Sequence, residues 1–254
     1  MRVNISLAAF PAMRHLEAAH AAIGTKLQEP MIDEVVADHV QLVPQNFGVL
    51  EEETVDALAA TFPGTRFRLH ANVRVLQDGR VYDLSTFNDC PQHFARAAQM
   101  SARLQAPAYT AHAGRRNDAL CTIFDTARRA SDLFGCPVGV EGHYPERGNA
   151  ATYFVSTWDE YRAVMESGVP YALDLSHLNI VAHYERRKET GLVAEMLACE
   201  RCIEVHLSDN DGRGDQHQVL AAEPWWWSLL PFINTSAVVF TEGNHRRQRA
   251  KAEQ

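Results

Sequence analysis

The sequence predicts an α/β protein of one domain, a single (β/α)8 TIM barrel spanning residues 1–254. Three observations predict it. Eight short runs rich in β-branched and aromatic residues alternate with longer helix-like segments, the order expected of repeated βα units. The length of 254 residues, 46% of them hydrophobic, matches one large core of barrel size. A doubly wound open sheet would carry a glycine-rich phosphate-binding turn after its first strand, and none is present.

The strand-like runs are RVNISLA (2–8), HVQLVPQ (39–45), RFRLHA (66–71), AYTAHA (108–113), PVGVEG (137–142), YALDLS (171–176), CIEVHL (202–207) and AVVFTE (237–242). Between them lie helical stretches that include EEETVDALAATF, PQHFARAAQMSARL, DALCTIFDTARRASDLFG, TWDEYRAVMESG and KETGLVAEMLACE. The third ends in Gly and the first runs into Pro-Gly, both helix stops. PWWWSLLP (224–231) reads as the start of the seventh helix, and RRQRAKAEQ (246–254) as a short polar tail.

No apolar run approaches the roughly 20 residues of a membrane span, and MRVNISLAAF reads as a strand rather than a signal peptide. Five scattered cysteines suit a reducing compartment, so a cytoplasmic protein is expected. The Cys199–Cys202 pair stands alone and reads as packing at a helix-to-strand junction. A net charge of −8 is opposite to the basic footprint of a nucleic-acid binder.

Ligand-type side chains recur at the strand ends: His70, His112, Glu141, Asp174, His206 and Glu242. Their intervals of 29 to 42 residues are each about one βα repeat, so the barrel brings all six to its C-terminal mouth. His177, in DLSH, lies close enough to Asp174 to reach back over the rim. In HLSDNDGRGDQH (206–217), Asp215 and His217 share one face of an extended loop. Nine side chains, imidazoles and carboxylates together, suit Zn, Mn or Fe better than oxygen-seeking Ca or Mg.

On these residues the chain resembles the xylose isomerase-like barrels, the group that includes endonuclease IV and the sugar isomerases and epimerases. Position by position, the nine residues resemble the endonuclease IV-type metal set. The resemblance implies one ion at His70, His112 and Glu141, a second at Glu141, Asp174, His206 and Glu242, and a third at His177, Asp215 and His217. The single-metal epimerases are similar only in Glu141, Asp174, His206 and Glu242, with the two glutamates as acid and base.

Three divalent ions against four carboxylates leave a positive centre that attracts phosphate, whereas one ion leaves a negative centre better suited to a neutral sugar. Arginines follow the ligand strands, among them Arg115, Arg116, Arg213 and Arg246, and favour an anionic small-molecule substrate. Trp225 is a candidate to stack on that substrate. His143 and His245 lie close behind ligand positions. His15, His20, His39, His93 and His183 carry no pattern and read as ordinary positions.

The expected activity is therefore hydrolysis of a small phosphorylated or otherwise anionic metabolite at a multinuclear metal site that activates water, with Glu141 and Glu242 as the catalytic carboxylates. A sugar or sugar-phosphate isomerase using Glu141 and Glu242 around one metal is the alternative. An iron- and O2-dependent enzyme of natural-product metabolism is a third reading.

Overall fold

A computed structural model describes residues 2–25 and 27–246. Eight parallel strands form one sheet: β1 (Val3–Ser6), β2 (Val35–Leu42), β3 (Arg66–Leu69), β4 (Tyr109–His112), β5 (Val138–Glu141), β6 (Tyr171–Asp174), β7 (Cys202–Leu207) and β8 (Val238–Thr241). Consecutive strands pair from β1 to β3 and from β4 to β8, and β1 pairs with β8, so the sheet curls into a barrel. No ladder joins β3 to β4, and the barrel is laced everywhere except along that seam.

Around it run α1 (His15–Gly24), α2 (Glu52–Thr61), α3 (Pro91–Arg103), α4 (Cys121–Phe134), α5 (Trp158–Glu166), α6 (Leu175–Glu185) and α7 (Thr190–Ala198). Local chemistry sets several ends. Pro91 occupies the first turn of α3, where no N–H is needed. Gly135 stops α4 in the left-handed region at φ 65°. Thr157 caps α5 by accepting from the Glu160 N–H at 3.4 Å.

The PWWWSLLP segment departs from expectation: a 3-10 helix, Trp227–Phe232, stands where a helix was predicted between β7 and β8. Pro231 lies inside it, has no N–H to donate, and prevents an α-helical continuation. The second strand also starts earlier than its sequence run, because Val35 and Val36 already pair with Val3 and Asn4 before a bulge shifts the register. Of the polar tail only Arg246 is described; residues 247–254 lie outside the described residues. Among the described residues no helix is long and apolar enough to cross a membrane. All five cysteines are free, with Cys199 capping α7 and Cys202 opening β7.

Inside the barrel the core is not purely apolar. Gln41, Arg68, Thr110 and Glu204 project inward and are fully or almost fully buried. Arg68 and Glu204 form an ion pair at 2.6 Å, and that pairing is what permits two charges in so dry a place.

Candidate metal centre

The strand ends deliver their ligand-type side chains to one mouth. His70 follows β3 directly, His112, Glu141 and Asp174 end β4, β5 and β6, His206 is the penultimate residue of β7, and Glu242 follows β8. Glu141 is the hub. Its Oε2 lies 3.3 Å from His70 Nε2, and its Oε1 lies 3.3 Å from His206 Nδ1 and 3.6 Å from His112 Nε2. Asp174, His206 and Glu242 bring a further set of ligand atoms within 4.8 Å of one another.

The remaining three residues gather beside them. Asp174 Oδ1 caps α6, accepting from the Ser176 and His177 N–H groups at 2.7 and 3.2 Å, so the helix begins at the strand's end and carries His177 inward. His177 Nε2 then faces Asp174 Oδ2 at 3.3 Å and Asp215 Oδ2 at 3.7 Å, while His217 Nε2 meets Asp215 Oδ2 at 2.8 Å and its Nδ1 faces Glu242 Oε2 at 3.7 Å. The loop bearing Asp215 and His217 is tied at its base by paired bonds between Asp209 and Gln218, and Asn210 binds it to Ser176 on α6.

The 3.3 Å separations of Glu141 from His70 and His206, and of Asp174 from His177, fit a shared cation, whereas the 2.8 Å between His217 and Asp215 is a hydrogen bond. Two ligands ~2.0–2.1 Å from one tetrahedral ion stand ~3.3–3.4 Å apart, beyond the usual N–H···O range. Glu141 Oε2, His206 Nδ1, Asp215 Oδ1 and His217 Nδ1 are buried without a hydrogen-bond partner, a condition that an ion would relieve.

Electrostatics agree with the crowding. Burial alone would lift the Glu141 pKa, but His70, His112 and His206 hold it well below the ordinary value. Burial is also the leading influence on Glu242, whose pKa is raised. For His177, burial would depress the pKa, yet Asp174, Asp215 and Glu141 push it up to about 10. His217 rises to about 9 by the same opposition of burial and carboxylates.

Several contributors were not evident in the sequence. Asp83 Oδ1 lies 3.8 Å from His112 Nδ1. His177 Nδ1 donates to the Gly142 carbonyl at 2.9 Å. Gly142 admits no side chain, since a Cβ there would stand 2.4 Å from Tyr161. His39, expected to be an ordinary position, is buried in the barrel and accepts from Arg68 Nε at 3.1 Å. Glu204 touches His206 Nε2 at 2.7 Å.

Two of the four candidate substrate arginines are already engaged within the protein. Arg116 is committed to Glu160 and the Tyr153 carbonyl. Arg246 is spent on the Pro11 and Ala12 carbonyls at 2.6 and 3.0 Å. Trp225 donates to Asn179 Oδ1 at 3.1 Å and lies 6.3 Å from Trp158, so its indole is held at the α5–α6 joint. Arg115 is exposed, with its guanidinium over the Tyr153 ring, and Arg213 is exposed on the Asp215 loop. His143 stacks between His112 and Tyr153 at 4.7 and 4.3 Å, whereas His245 meets Glu29 at 3.1 Å. Cavities of about 640 and 420 Å³ open elsewhere, around Arg2 and the residues leading into β8, and contain none of the nine ligand-type residues.

No family model matches the chain, and no curated protein does. Solved structures do. A D-tagatose 3-epimerase-like protein superposes with a TM-score of 0.67 at 14% identity, covering 100% of this chain and 96% of that one. The 3-keto-D-glucoside 4-epimerase YcjR from E. coli gives 0.64 at 14% identity, covering 100% and 99%. The IOLI protein, solved with a bound zinc atom, gives 0.61 at 14% identity, covering 99% and 91%. The chain therefore shares the (β/α)8 barrel fold of these proteins.

Proposed function

We propose that this protein is a divalent-metal-dependent isomerase or epimerase that moves a proton next to a carbonyl of a small, polyhydroxylated, sugar-like substrate. The observation that carries it is the pairing of Glu141 and Glu242 about His206. Glu141 Oε1 stands 3.3 Å from His206 Nδ1, while Asp174, His206 and Glu242 form the adjoining ligand group. Two carboxylates thus reach one centre from strands on either side of β6 and β7.

Glu141, Asp174, His206 and Glu242 would hold the ion. A divalent ion there supplies Lewis-acid polarisation of the substrate's oxygens. Glu141 and Glu242, reaching the centre from β5 and from the end of β8, are suited to remove a proton from carbon and to return one. The buried walls exclude bulk water from the transfer. Likeness in fold to a D-tagatose 3-epimerase-like protein and to a keto-glucoside epimerase, and to a barrel with bound zinc, supports this reading.

One observation favours a second reading, hydrolysis of an anionic metabolite. His70, His112, His177, Asp215 and His217 have no task in a one-metal epimerase, yet they crowd the same mouth within 4 Å of a carboxylate. A multinuclear site would use all of them.

Incubation with keto-sugars and their phosphates in deuterated water tests the choice. Deuterium entering a substrate carbon is expected, and release of inorganic phosphate without it would replace the isomerase with the hydrolase. Glu141→Gln should abolish the exchange, and a variant with full metal content and full exchange would overturn the role of Glu141.

A further inference from the structure

We propose that Glu204, at the floor of the barrel, is a positioning residue that fixes the tautomers of two candidate ligands, His206 directly and His70 through Thr110. Resting on the metal-binding reading above, this inference assigns a task to a carboxylate too deep to reach substrate.

Glu204 is completely buried on β7, two residues before His206, so both side chains point into the barrel. Its Oε2 accepts from Arg68 Nη1 at 2.6 Å, and its Oε1 accepts from Gln41 Nε2 at 2.6 Å and from Thr110 Oγ1 at 2.9 Å. Arg68 keeps this carboxyl ionised, and an ionised carboxylate only accepts. The His206 Nε2 atom lies 2.7 Å from Oε1 and 3.0 Å from Gln41 Nε2; the shorter contact, to an anion that only accepts, places the proton on Nε2. That leaves the His206 Nδ1 lone pair toward Glu141 Oε1, in the place where Nδ1 lacks any hydrogen-bond partner.

Thr110 extends the same control to His70. Its one hydroxyl proton goes to Glu204, so toward His70 the oxygen can only accept. His70 Nδ1, 3.0 Å away, must be the donor, and the lone pair of His70 lies on Nε2, 3.3 Å from Glu141 Oε2. The two histidines thus present different ring nitrogens to the two oxygens of one glutamate. A single anion sets both choices. The Thr110 contact is present without a metal, so it sets the His70 tautomer in the metal-free protein as well.

The test uses full-length protein with 15N-labelled histidine rings, where long-range proton–nitrogen correlations report which nitrogen bears hydrogen. His70 is expected as the Nδ1–H tautomer in metal-free protein, and zinc-loaded protein should show Nδ1–H on His70 and Nε2–H on His206. Thr110→Val removes only the relay; it should release His70 into mixed tautomers, weaken zinc about tenfold and leave the His206 pattern alone. Glu204→Gln should disturb both rings and weaken zinc about 10–100-fold, measured by chelator competition. An Nε2–H tautomer on His70 in the wild type would overturn the proposal. So would a Thr110→Val protein with unchanged ring pattern and zinc affinity. If Glu204→Gln fails to fold, Thr110→Val decides alone. A wild type with the expected His70 tautomer but no zinc affinity would sink the proposed function and sustain the tautomer assignment.

Discussion

Asp174 does two things with its two oxygens: Oδ1 caps the helix that begins at its own position, and Oδ2 faces His177, the residue that the capped helix carries, at 3.3 Å. The two roles separate by mutation. Asn is as good a cap as Asp but is a poorer ligand for a cation and no charge partner for protonated His177, so Asp174→Asn should lose metal affinity while being destabilised less than Asp174→Ala. Asp174→Ala should lose both, with about 1 kcal/mol of stability gone through the cap. Equal metal affinity in the wild type and Asp174→Asn would show that the second oxygen is not a ligand.

Metal binding should strengthen as pH rises. In the metal-free protein His177 and His217 hold their protons up to about 10 and about 9, because neighbouring carboxylates outweigh burial. Protonated imidazole cannot ligate, so an incoming ion must expel those protons. Calorimetry at neutral pH in buffers of different ionisation enthalpy should detect their release, and buffer-independent heats would contradict it.

The same shifts give metal-free protein a distinct stability profile. Both histidines have folded pKa values above the unfolded value of 6.5, so their carboxylate pairs stabilise the fold fully below 6.5. That contribution is lost as pH rises through about 9 to 10. Chemical denaturation across this window should show the decline in wild type and a smaller one in His217→Ala.

His217→Ala also bears on the number of ions. It should lower metal content by about one ion per chain if the His177, Asp215 and His217 group holds its own, while an isomerase run from the centre keeps much of its rate. Elemental analysis beside the deuterium assay reads both quantities. Unchanged metal content would mean that the tied loop is structural only.

Arg68→Met should be severe although Arg68 lies far below the rim. Burial would raise the Glu204 pKa, but Arg68 and His206 bring it down to about 2, so the pair stabilises the fold above pH 4.5 and that support fades only toward pH 2. Removing Arg68 leaves a buried charge uncompensated, which costs about 3–5 kcal/mol of unfolding free energy. Urea denaturation near neutral pH measures it, and a loss below 1 kcal/mol would mean that water or another cation reaches Glu204.

The strands were legible because each alternates or runs apolar between clear breaks, and the six ligand-type strand ends followed from the βα repeat. Helix α6 was hidden. Leu175, Leu178, Ile180 and Val181 are all buried, so the segment shows no polar face and hence no helical period. Asp83 comes from the connection between β3 and α3, where no periodicity marks a side chain that meets His112. Glu204 was legible in principle: a glutamate two residues before a ligand histidine on a strand must share its inward face. Arg116 and Arg246 illustrate the reverse, since spacing identifies nearby cations without revealing the carboxylate or carbonyls already holding them.

The unlaced seam between β3 and β4 separates the strands that bring His70 and His112 to the mouth. Across it the His70–Thr110 hydrogen bond is a single stitch, and Glu141 reaches both histidines. A cation gripped by His70 and His112 together would act as a clasp on the edge where the cylinder most readily gapes. Loading the centre would then be a mechanical event as well as a chemical one, felt as a greater slowing of hydrogen exchange along β3 and β4 than along the fully laced strands opposite.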